Sequence, residues 1–314
     1  MARPVLLVKS GGAAGFDEWR GLLAGPLPQL EVRWWDDPGV AAERVRYAAV
    51  WDPEPGRLAR LPALRAVFGV AAGVDLIAGD PAYPRHVPLV RLVAPETTQR
   101  MGEYLCWAAL SLVKDARRMA IAQSRAVWDY SEAPGKAPDF TLGILGLGGL
   151  GQGCAPMLQA VGFKVIGWSR TRKQVPGVES YAEAELPAFL ARCRILVCLL
   201  PATPETAGML NAALFAQLPH GALLVQAGRG SQTVLPDVLA ALDSGQLGGA
   251  VLDVFEPEPL PDGHPAWSHP KLTLTPHVGS LPTRAERAVQ LARNILAFER
   301  GDALPTLYDP AKGY

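Results

Sequence analysis

An apolar run that breaks into closely spaced glycines constrains the fold of this chain more than any other stretch. Residues 141–145 have the composition of a buried strand, and the spacing GxGxxG follows before a helical pattern. In such a turn the first glycine permits a tight bend, the second lets backbone amides approach a pyrophosphate, and the third lets the helix pack closely on its strand. Glycine is abundant, at 32 of 314 residues, but a second apolar strand at 163–168 completes a strand-helix-strand unit. The sequence therefore predicts a dinucleotide site at the helix N-terminus, in a turn formed by Gly146, Gly148, Gly149, Leu150 and Gly151.

The end of the second strand indicates which dinucleotide is bound. An acidic residue about 20 positions beyond the motif usually holds the ribose 2′-hydroxyl of NAD. This chain has Ser169 there, followed by Arg170, Thr171, Arg172 and Lys173. Hydroxyl donors and positive charges suit a 2′-phosphate, so this basic turn, residues 169–173, favours NADP(H) and leaves NAD(H) as the alternative. A solvated surface turn is the other interpretation of so short a run of charges.

Strand and helix patterns alternate along the rest of the chain. Strand candidates at 195–200, 222–226 and 249–252 are separated by helix candidates at 212–218 and 235–242. Strands alternating with helices indicate a parallel, doubly wound sheet, in which ligands bind beyond the carboxyl ends of the strands. The first 70 residues predict an α/β layer of their own, with short strands at 3–8, 30–34, 47–51 and 65–70.

Three chemically active side chains each follow an apolar strand candidate, namely Arg229, Glu258 and His277. Reduction of a 2-oxo acid requires a hydride at the carbonyl carbon, a proton for the carbonyl oxygen and a cation that binds the substrate's oxygens. In this chemistry His277 gives the proton, Glu258 favours the imidazolium form, and Arg229 binds the substrate. Taken singly, each residue also fits an ordinary loop position.

Four motifs occur along the chain in order: the glycine turn, Ala-Gly-Arg-Gly at 227–230, Leu-Asp-Val-Phe-Glu-Pro-Glu-Pro at 252–259 and Thr-Pro-His at 275–277. Together they resemble the D-isomer-specific 2-hydroxyacid dehydrogenases over nearly the whole length and, within that family, the glyoxylate/hydroxypyruvate reductase A group. The resemblance implies that Arg229 is the substrate-binding cation and that Glu258 and His277 are the acid-base pair.

The resemblance also implies contacts that the motifs alone do not. Asp253 is expected near the nicotinamide carboxamide, and Trp51 near the substrate mouth. The backbone amides of Ala72 and Gly73 are expected to bind the substrate carboxylate. The remaining predicted cofactor contacts are Leu200, Pro201, Thr206, Ala227, Gly228 and Gly279.

Two positions beside the substrate-binding arginine depart from the family pattern. Gln226 stands where the family more often has Asn, and Gly228 replaces a slightly larger residue. We therefore expect the shape beside Arg229 to differ, without loss of activity.

The family resemblance implies a discontinuous domain organisation. A smaller flavodoxin-like α/β substrate domain would consist of residues 1–100 and 284–314, with a Rossmann nucleotide domain, residues 101–283, inserted in it. The family forms dimers through the nucleotide domain. We expect a homodimer contact at the loop 126–138, which contains exposed aromatic residues.

Composition excludes several other classes of function. Equal numbers of acidic and basic residues, 30 of each, give no global field for binding nucleic acid or a membrane surface. The longest uncharged apolar stretch is half the roughly 20 residues that a membrane-spanning helix needs. The four cysteines lack metal-ligand spacing, so we expect buried free thiols and no metal. The first residues have too short an apolar segment for a signal peptide, and we expect a cytoplasmic protein.

The sequence therefore predicts NADPH-dependent reduction of small 2-oxo acids, glyoxylate and hydroxypyruvate first. One alternative is an NAD-dependent dehydrogenase of a bulkier D-2-hydroxy acid. Another is a non-catalytic binding module that senses the dinucleotide, although the chain lacks the long flanking disordered segments that recruit partners.

Overall fold

The chain divides into two compact units in a computed structural model that describes residues 3–71, 73–93, 95–304 and 306–310. One unit holds the residues up to Thr97 together with those from Leu281 onward, and the other runs from Thr98 to Ser280. The sequence predicts the crossings nearby, after residues 100 and 283. Each unit is built on a parallel sheet of its own.

The first unit contains a five-stranded sheet in the order β2-β1-β3-β4-β5, and every neighbouring pair in it is parallel. Apolar side chains on both faces of β1 and β3 are buried, as parallel strands covered on both sides require. Its elements up to the first crossing are β1 (Val5–Lys9), α1 (Phe16–Ala24), β2 (Glu31–Trp34), β3 (Val45–Val50), β4 (Ala66–Gly69), α2 (Asp75–Ala78) and β5 (Leu89–Val90).

The second unit contains a seven-stranded sheet in the order β12-β11-β10-β9-β6-β7-β8, again parallel throughout. One apolar core lies on each face of this sheet. Its elements, with the helix that begins at the crossing, are α3 (Pro95–Val113), α4 (Ala116–Ser124), β6 (Thr141–Leu145), α5 (Gly149–Ala160), β7 (Lys164–Trp168), β8 (Glu179–Tyr181), α6 (Leu186–Leu190), β9 (Ile195–Cys198), α7 (Ala212–Phe215), β10 (Ala222–Gln226), α8 (Leu235–Ser244), β11 (Leu247–Leu252) and β12 (Leu272–Leu274).

The chain returns to the first unit in a long last helix, α9 (Arg284–Arg300). The hydroxyl of Thr283 accepts a hydrogen bond from the backbone N–H of Glu286, and the Glu286 carboxylate accepts one from the N–H of Thr283, so a capping box fixes where the helix begins. Gly301, in the left-handed conformation, ends it. Leu291 and Ile295 on its inner face join the apolar core of this unit.

The strand order of the second sheet places a topological switch point between β6 and β9. From β6 the chain builds outward through β7 and β8, and it then crosses back to build β9 to β12 on the other side. Ligands of doubly wound sheets bind at the carboxyl ends of the strands beside such a point. The predicted parallel, doubly wound architecture is confirmed, and the loops after β6, β7, β9, β10, β11 and β12 share one edge of the sheet.

Short elements were the ones that the sequence pattern missed, because two or three residues carry too little periodicity to be recognised. They include β5 and β8. The sequence pattern also missed a longer element, the nine-residue helix α4 in the segment between α3 and β6. The predicted loop at 126–138 is irregular up to residue 136, and Trp128 and Tyr130 in it are 83% and 86% exposed. Among the helices of the described residues, none combines the length and apolar composition that crossing a bilayer would require.

Candidate active site

The glycine turn after β6 has the geometry that close approach of a phosphate requires. Gly146 has φ 115°, and a Cβ there would come within 2.8 Å of the Leu199 carbonyl carbon, so only glycine fits. A Cβ at Gly151 would collide with the carbonyl oxygen of Gly146, which explains the close packing of α5 on its strand. A Cβ at Gly148 would instead meet no atom of the described residues within 4 Å. The space above Gly148, at the N-terminus of α5, is therefore available for a pyrophosphate.

The basic turn after β7 is folded largely by its own polar groups. The hydroxyl of Ser169 donates to the carbonyl of Thr171 over 2.8 Å, and the ammonium of Lys173 donates to the Thr171 hydroxyl over 2.9 Å. Arg172 binds both carboxylate oxygens of Glu185 at 2.6 Å and the carbonyl of Ser180. The hydrogen bond from the Ala182 amide and the Arg172 guanidinium lower the pKa of Glu185.

Arg170 differs from Arg172 in its surroundings. Its positive charge is among the influences that lower the pKa of Glu205, after the hydrogen bonds of Thr203 and the Glu205 backbone. Glu205 belongs to the loop after β9, so the charge of Arg170 acts on that loop. Arg172, in contrast, binds Glu185. The two arginines that the sequence groups together therefore occupy different environments.

The loop after β9 holds three of the predicted cofactor contacts, Leu200, Pro201 and Thr206. The Thr206 hydroxyl donates to the Pro201 carbonyl over 2.8 Å and accepts from the backbone N–H of Thr203 over 2.9 Å. This threonine therefore closes the loop on itself. The carbonyls of Leu200 and Pro201 both accept hydrogen bonds from Gln232, each over 2.9 Å.

Asp253 organises the loop that carries the predicted proton donor. It is 2% exposed, and one of its oxygens accepts from the Thr275 hydroxyl at 2.6 Å and from the Val278 N–H at 3.0 Å. The other oxygen accepts from the Gly279 N–H at 2.8 Å. A side chain at Gly279 would come within 2.9 Å of that oxygen. The carboxylate therefore binds a side chain before His277 and the backbone after it, and so holds this loop in place.

His277 itself has a backbone conformation that few residues other than glycine adopt. Its φ is 55°, and its N–H donates to the carbonyl of Asp253 over 2.8 Å. Its Nδ1 lies 2.9 Å from Oε2 of Glu258, and the other oxygen of Glu258 accepts from the Phe255 N–H over 2.8 Å. The structure thus brings together two side chains that lie 19 positions apart in the sequence.

Arg229 lies in the loop after β10, on the same edge of the sheet. One of its guanidinium nitrogens donates to the carbonyl of Gly228 over 2.7 Å. The loop is tightly packed against the one that bears Glu258, since a Cβ at Gly230 would overlap the carbonyl of Phe255. The carboxyl ends of three neighbouring strands, β10, β11 and β12, therefore carry the cation, the acid and the imidazole.

A cavity of about 300 Å³ adjoins the His277 loop, lined by Arg100, Glu103, Tyr104, Trp107, Val278 and Gly279. The Tyr104 hydroxyl is 2.7 Å from that of Thr275, which in turn binds Asp253. Burial and the negative charge of Asp253 raise the pKa of Tyr104, so the tyrosine stays a neutral phenol.

The predicted substrate contacts of the first unit follow its strands β3 and β4. Trp51 comes directly after β3 and is 37% exposed. It lines a small crevice with Gly73, Val74, Asp75 and Leu76. The predicted contact at Ala72 lies outside the described residues.

Several residues of this edge were missed by the motif analysis. Gln232, Thr275 and Tyr104 make hydrogen bonds that hold the predicted site residues. No sequence signal pointed to Gln232, because a capping box begins with Ser, Thr, Asp or Asn, and Arg229 stands at that position. Thr275 was visible only as part of the Thr-Pro-His motif.

The described part of the chain contains no group of three or more His, Cys, Asp or Glu side chains able to hold a metal ion. The cysteines are free thiols, and Cys154, Cys193 and Cys198 are buried. Burial raises the pKa of Cys154 and of Cys198 to about 12, so both stay protonated and unreactive near neutral pH.

Comparison with known proteins identifies the family. A family model described as the D-isomer specific 2-hydroxyacid dehydrogenase, NAD binding domain, matches residues 106–279. The glyoxylate/hydroxypyruvate reductase A of Serratia proteamaculans (strain 568) is 42% identical over 304 residues, which cover 95% of this chain and 96% of that protein.

Two solved structures match along their full length. A D-isomer specific 2-hydroxyacid dehydrogenase of Xanthobacter autotrophicus Py2, in complex with NADPH and MES, has a TM-score of 0.90 and 38% identity, with 100% of both chains covered. An NADPH-dependent glyoxylate/hydroxypyruvate reductase of Sinorhizobium meliloti, in complex with NADP and sulfate, has a TM-score of 0.89 and 40% identity at the same coverage. These similarities confirm the fold class and the oxidoreductase activity predicted from the sequence, and the chain belongs to the D-isomer specific 2-hydroxyacid dehydrogenase family.

Proposed function

We propose that this enzyme reduces small 2-oxo acids with NADPH, glyoxylate and hydroxypyruvate first. The observation that carries the proposal is the hydrogen bond between His277 and Glu258 on the sheet edge that also bears Arg229. The similar Serratia and Sinorhizobium proteins are named for these two substrates, and the Xanthobacter and Sinorhizobium structures reported above are complexes with NADPH and NADP.

The proton is proposed to come from His277. Glu258 binds Nδ1, so the imidazolium would donate from Nε2 to the carbonyl oxygen of the substrate. The bond from Phe255 N–H to the second oxygen of Glu258 holds the carboxylate in place, and the Asp253 contacts hold the loop of His277. When bound, the reduced nicotinamide supplies the hydride for the carbonyl carbon.

Arg229 is proposed to bind the carboxylate and the carbonyl oxygen of the substrate. A guanidinium is charged at every physiological pH and offers paired N–H donors to an anion. A positive charge near the carbonyl oxygen stabilises the negative charge that develops there during hydride transfer. The hydrogen bond to the Gly228 carbonyl restricts the rotamers of Arg229 before substrate arrives.

Selection of NADPH is proposed to depend mainly on Ser169, Thr171 and Arg170. The backbone of this turn is held by the bonds of Ser169 and Lys173 to Thr171, and Arg172 holds it to Glu185. Arg172 would then keep the turn in shape, and Arg170 would meet the 2′-phosphate directly. An NAD-dependent dehydrogenase of a bulkier D-2-hydroxy acid is the alternative.

We also propose that the protein is a cytoplasmic homodimer formed through the nucleotide domain. Trp128 and Tyr130 pack edge to face and are almost fully exposed. Asp129 between them binds Arg118 and accepts from the Ser131 N–H over 2.8 Å, which fixes the segment. A fixed, exposed aromatic pair supports a contact with a second copy. The molar mass in light scattering should therefore be twice that of the chain and fall to one chain in Trp128→Ala with Tyr130→Ala.

The test of the proposed reaction is the loss of nicotinamide absorbance with glyoxylate, hydroxypyruvate and a bulkier 2-oxo acid, each with NADPH and with NADH. We expect faster turnover of the two small acids with NADPH. Faster turnover of the bulkier acid with NADH would favour the alternative dehydrogenase. Nucleotide binding without turnover of any acid would favour the sensing module and contradict the proposal.

A further inference from the structure

Two glutamines beside the substrate-binding loop are completely buried. Gln226 is the last residue of β10, Gln232 lies in the helical turn that follows Arg229, and both have an exposure of 0%. Burying a side-chain amide is costly unless its oxygen and nitrogen find partners. Both amides do, and five of their partners are backbone groups of the site loops.

Gln232 joins the two loops that are predicted to meet the cofactor and the substrate. Its oxygen accepts from the backbone N–H of Arg229 over 2.8 Å. Its nitrogen donates to the carbonyls of Leu200 and Pro201, each over 2.9 Å. One side chain therefore ties the loop after β9 to the backbone of Arg229.

Gln226 binds the backbone carbonyl of the same arginine. Its nitrogen donates to the carbonyl of Arg229 over 3.0 Å and to the Thr233 hydroxyl over 3.0 Å. Its oxygen accepts from the N–H of Gly228 over 2.9 Å. Gln232 thus binds the backbone N–H of Arg229, and Gln226 binds its backbone C=O. The two glutamines also contact each other, since Nε2 of Gln226 donates to Oε1 of Gln232 over 3.3 Å.

The residue before Arg229, Gly228, has no side chain, and this leaves room for the amide of Gln232. A Cβ at Gly228 would collide with the side-chain oxygen of Gln232 and lie 3.0 Å from the Leu200 carbonyl. Asn at position 226 would be one methylene shorter than Gln226. Positions 226 and 228 therefore belong to one packing arrangement.

We propose that Gln226 and Gln232 are positioning residues that hold Arg229 in its substrate-binding place, with Gly228 as the space they require. The inference rests on the proposed role of Arg229. The two amides bind the backbone of Arg229, and the position of this backbone determines which positions its guanidinium can reach. A displacement of about 1 Å in a group that positions the substrate can lower the turnover rate about a hundredfold. The glutamines themselves need not touch substrate or cofactor.

The kinetic test uses Gln232→Met, which keeps the side-chain length and removes the amide. We expect kcat/KM for glyoxylate to fall at least about tenfold. The matched control is Gln246→Met, because Gln246 also donates to two carbonyls, those of Phe215 and Leu218, which lie outside the loops after β9 and β10 that Gln232 joins. That control should change kcat/KM by less than about twofold. An equal loss in both variants would contradict the proposal.

A double-mutant cycle distinguishes positioning from general loosening. If Gln232 acts through Arg229, the loss from Gln232→Met should largely disappear in an Arg229→Lys background, because the two changes damage one interaction. The same fold loss in both backgrounds would overturn the proposal.

Amide hydrogen exchange separates this proposal from the proposed function. Peptides covering 226–233 should exchange faster in Gln232→Met than in wild type, and those of Gln246→Met should not. If wild-type protein reduces no 2-oxo acid but this exchange difference appears, the function fails and the positioning of Arg229 stands. Unchanged exchange would refute the positioning role, whatever the activity.

Discussion

Charged side chains follow the carboxyl ends of strands in two regions, the basic turn after β7 and the edge formed by the loops after β10 to β12. The two regions differ in how far their ion pairs and carboxylates are exposed. In the basic turn, the salt bridge of Arg172 with Glu185 is well exposed, with side-chain exposures of 58% and 38%. At the other edge, Asp253 is buried and its oxygens are committed to the His277 loop. The His277–Glu258 pair is itself part-exposed, with side-chain exposures of 31% and 37%, so the difference lies in Asp253, whose buried carboxylate fixes the loop of His277 in advance.

This difference has an energetic basis. Exposed ion pairs contribute little, since water screens them and two long side chains must be ordered. A buried carboxylate leaves a costly unpaired charge when its partners are removed, so its network resists rearrangement. Substitutions at the edge should therefore reduce turnover, and substitutions in the turn should change which cofactor is used.

The largest effect is expected for His277→Ala. Loss of the proton donor should lower kcat for glyoxylate by about 10² to 10⁴-fold while NADPH binding, measured by fluorescence titration, stays within about twofold. His269→Ala is the matched control, because His269 also binds a carboxylate, that of Asp243, but lies in a loop before β12. Full activity of the His277 variant would remove it from the mechanism.

Arg229→Ala should have the next largest effect. Without the cation, the substrate loses both an anchor and a stabiliser of developing charge, so kcat/KM should fall about 10² to 10³-fold. Arg229→Lys should recover part of this loss, because it restores the charge without the paired donors. Steady-state kinetics with varied glyoxylate measure both variants. If alanine changed only the KM for NADPH, Arg229 would belong to the cofactor site.

Glu258→Gln should have an intermediate effect. Its side-chain oxygen can still accept from the Phe255 N–H, but the negative charge beside Nδ1 of His277 is lost. We expect kcat to fall about 10- to 100-fold, the equivalent of one charged hydrogen bond. A stopped-flow measurement of NADPH oxidation checks this directly. A rate equal to that of wild type would mean that Glu258 only shapes its loop.

Arg172→Ala should have the smallest effect on catalysis. Because its guanidinium is bound to Glu185 and the Ser180 carbonyl, its loss should raise the KM for NADPH only a few fold and lower the melting temperature slightly. Glu185→Gln should lower the melting temperature in the same way. A much larger rise in KM for Arg172→Ala than for Arg170→Ala would reverse the roles assigned to the two arginines.

Much of the fold and part of the site could be predicted because they depend on local pattern. The glycine spacing identified the turn after β6, and each of the three glycines has the surroundings expected of its position. Strand ends placed Glu258 and His277 on one edge, where the structure joins them by a hydrogen bond. Because β11 and β12 are neighbouring parallel strands, the loops that follow them, which carry Glu258 and His277, lie side by side.

The side-chain networks could not be predicted, because they depend on loop conformation. The pairing of Arg172 with Glu185 relies on β8, a three-residue strand without a usable pattern. The amide of Gln232 reaches the Leu200 carbonyl across 32 positions of sequence, and no spacing rule anticipates such a contact. In the sequence, Gln226 and Gly228 are two separate positions of one motif, and only the geometry shows that both pack against Gln232.

The most direct test of this division of roles is the ratio of kcat/KM for NADPH to that for NADH in the double variant Ser169→Asp with Arg170→Gln. The account predicts a ratio at least about a hundredfold below that of wild type, because a donor and a cation are replaced by repulsion of the 2′-phosphate, with kcat at saturating NADH preserved. An unchanged ratio, or a kcat as low as that of His277→Ala, would contradict it.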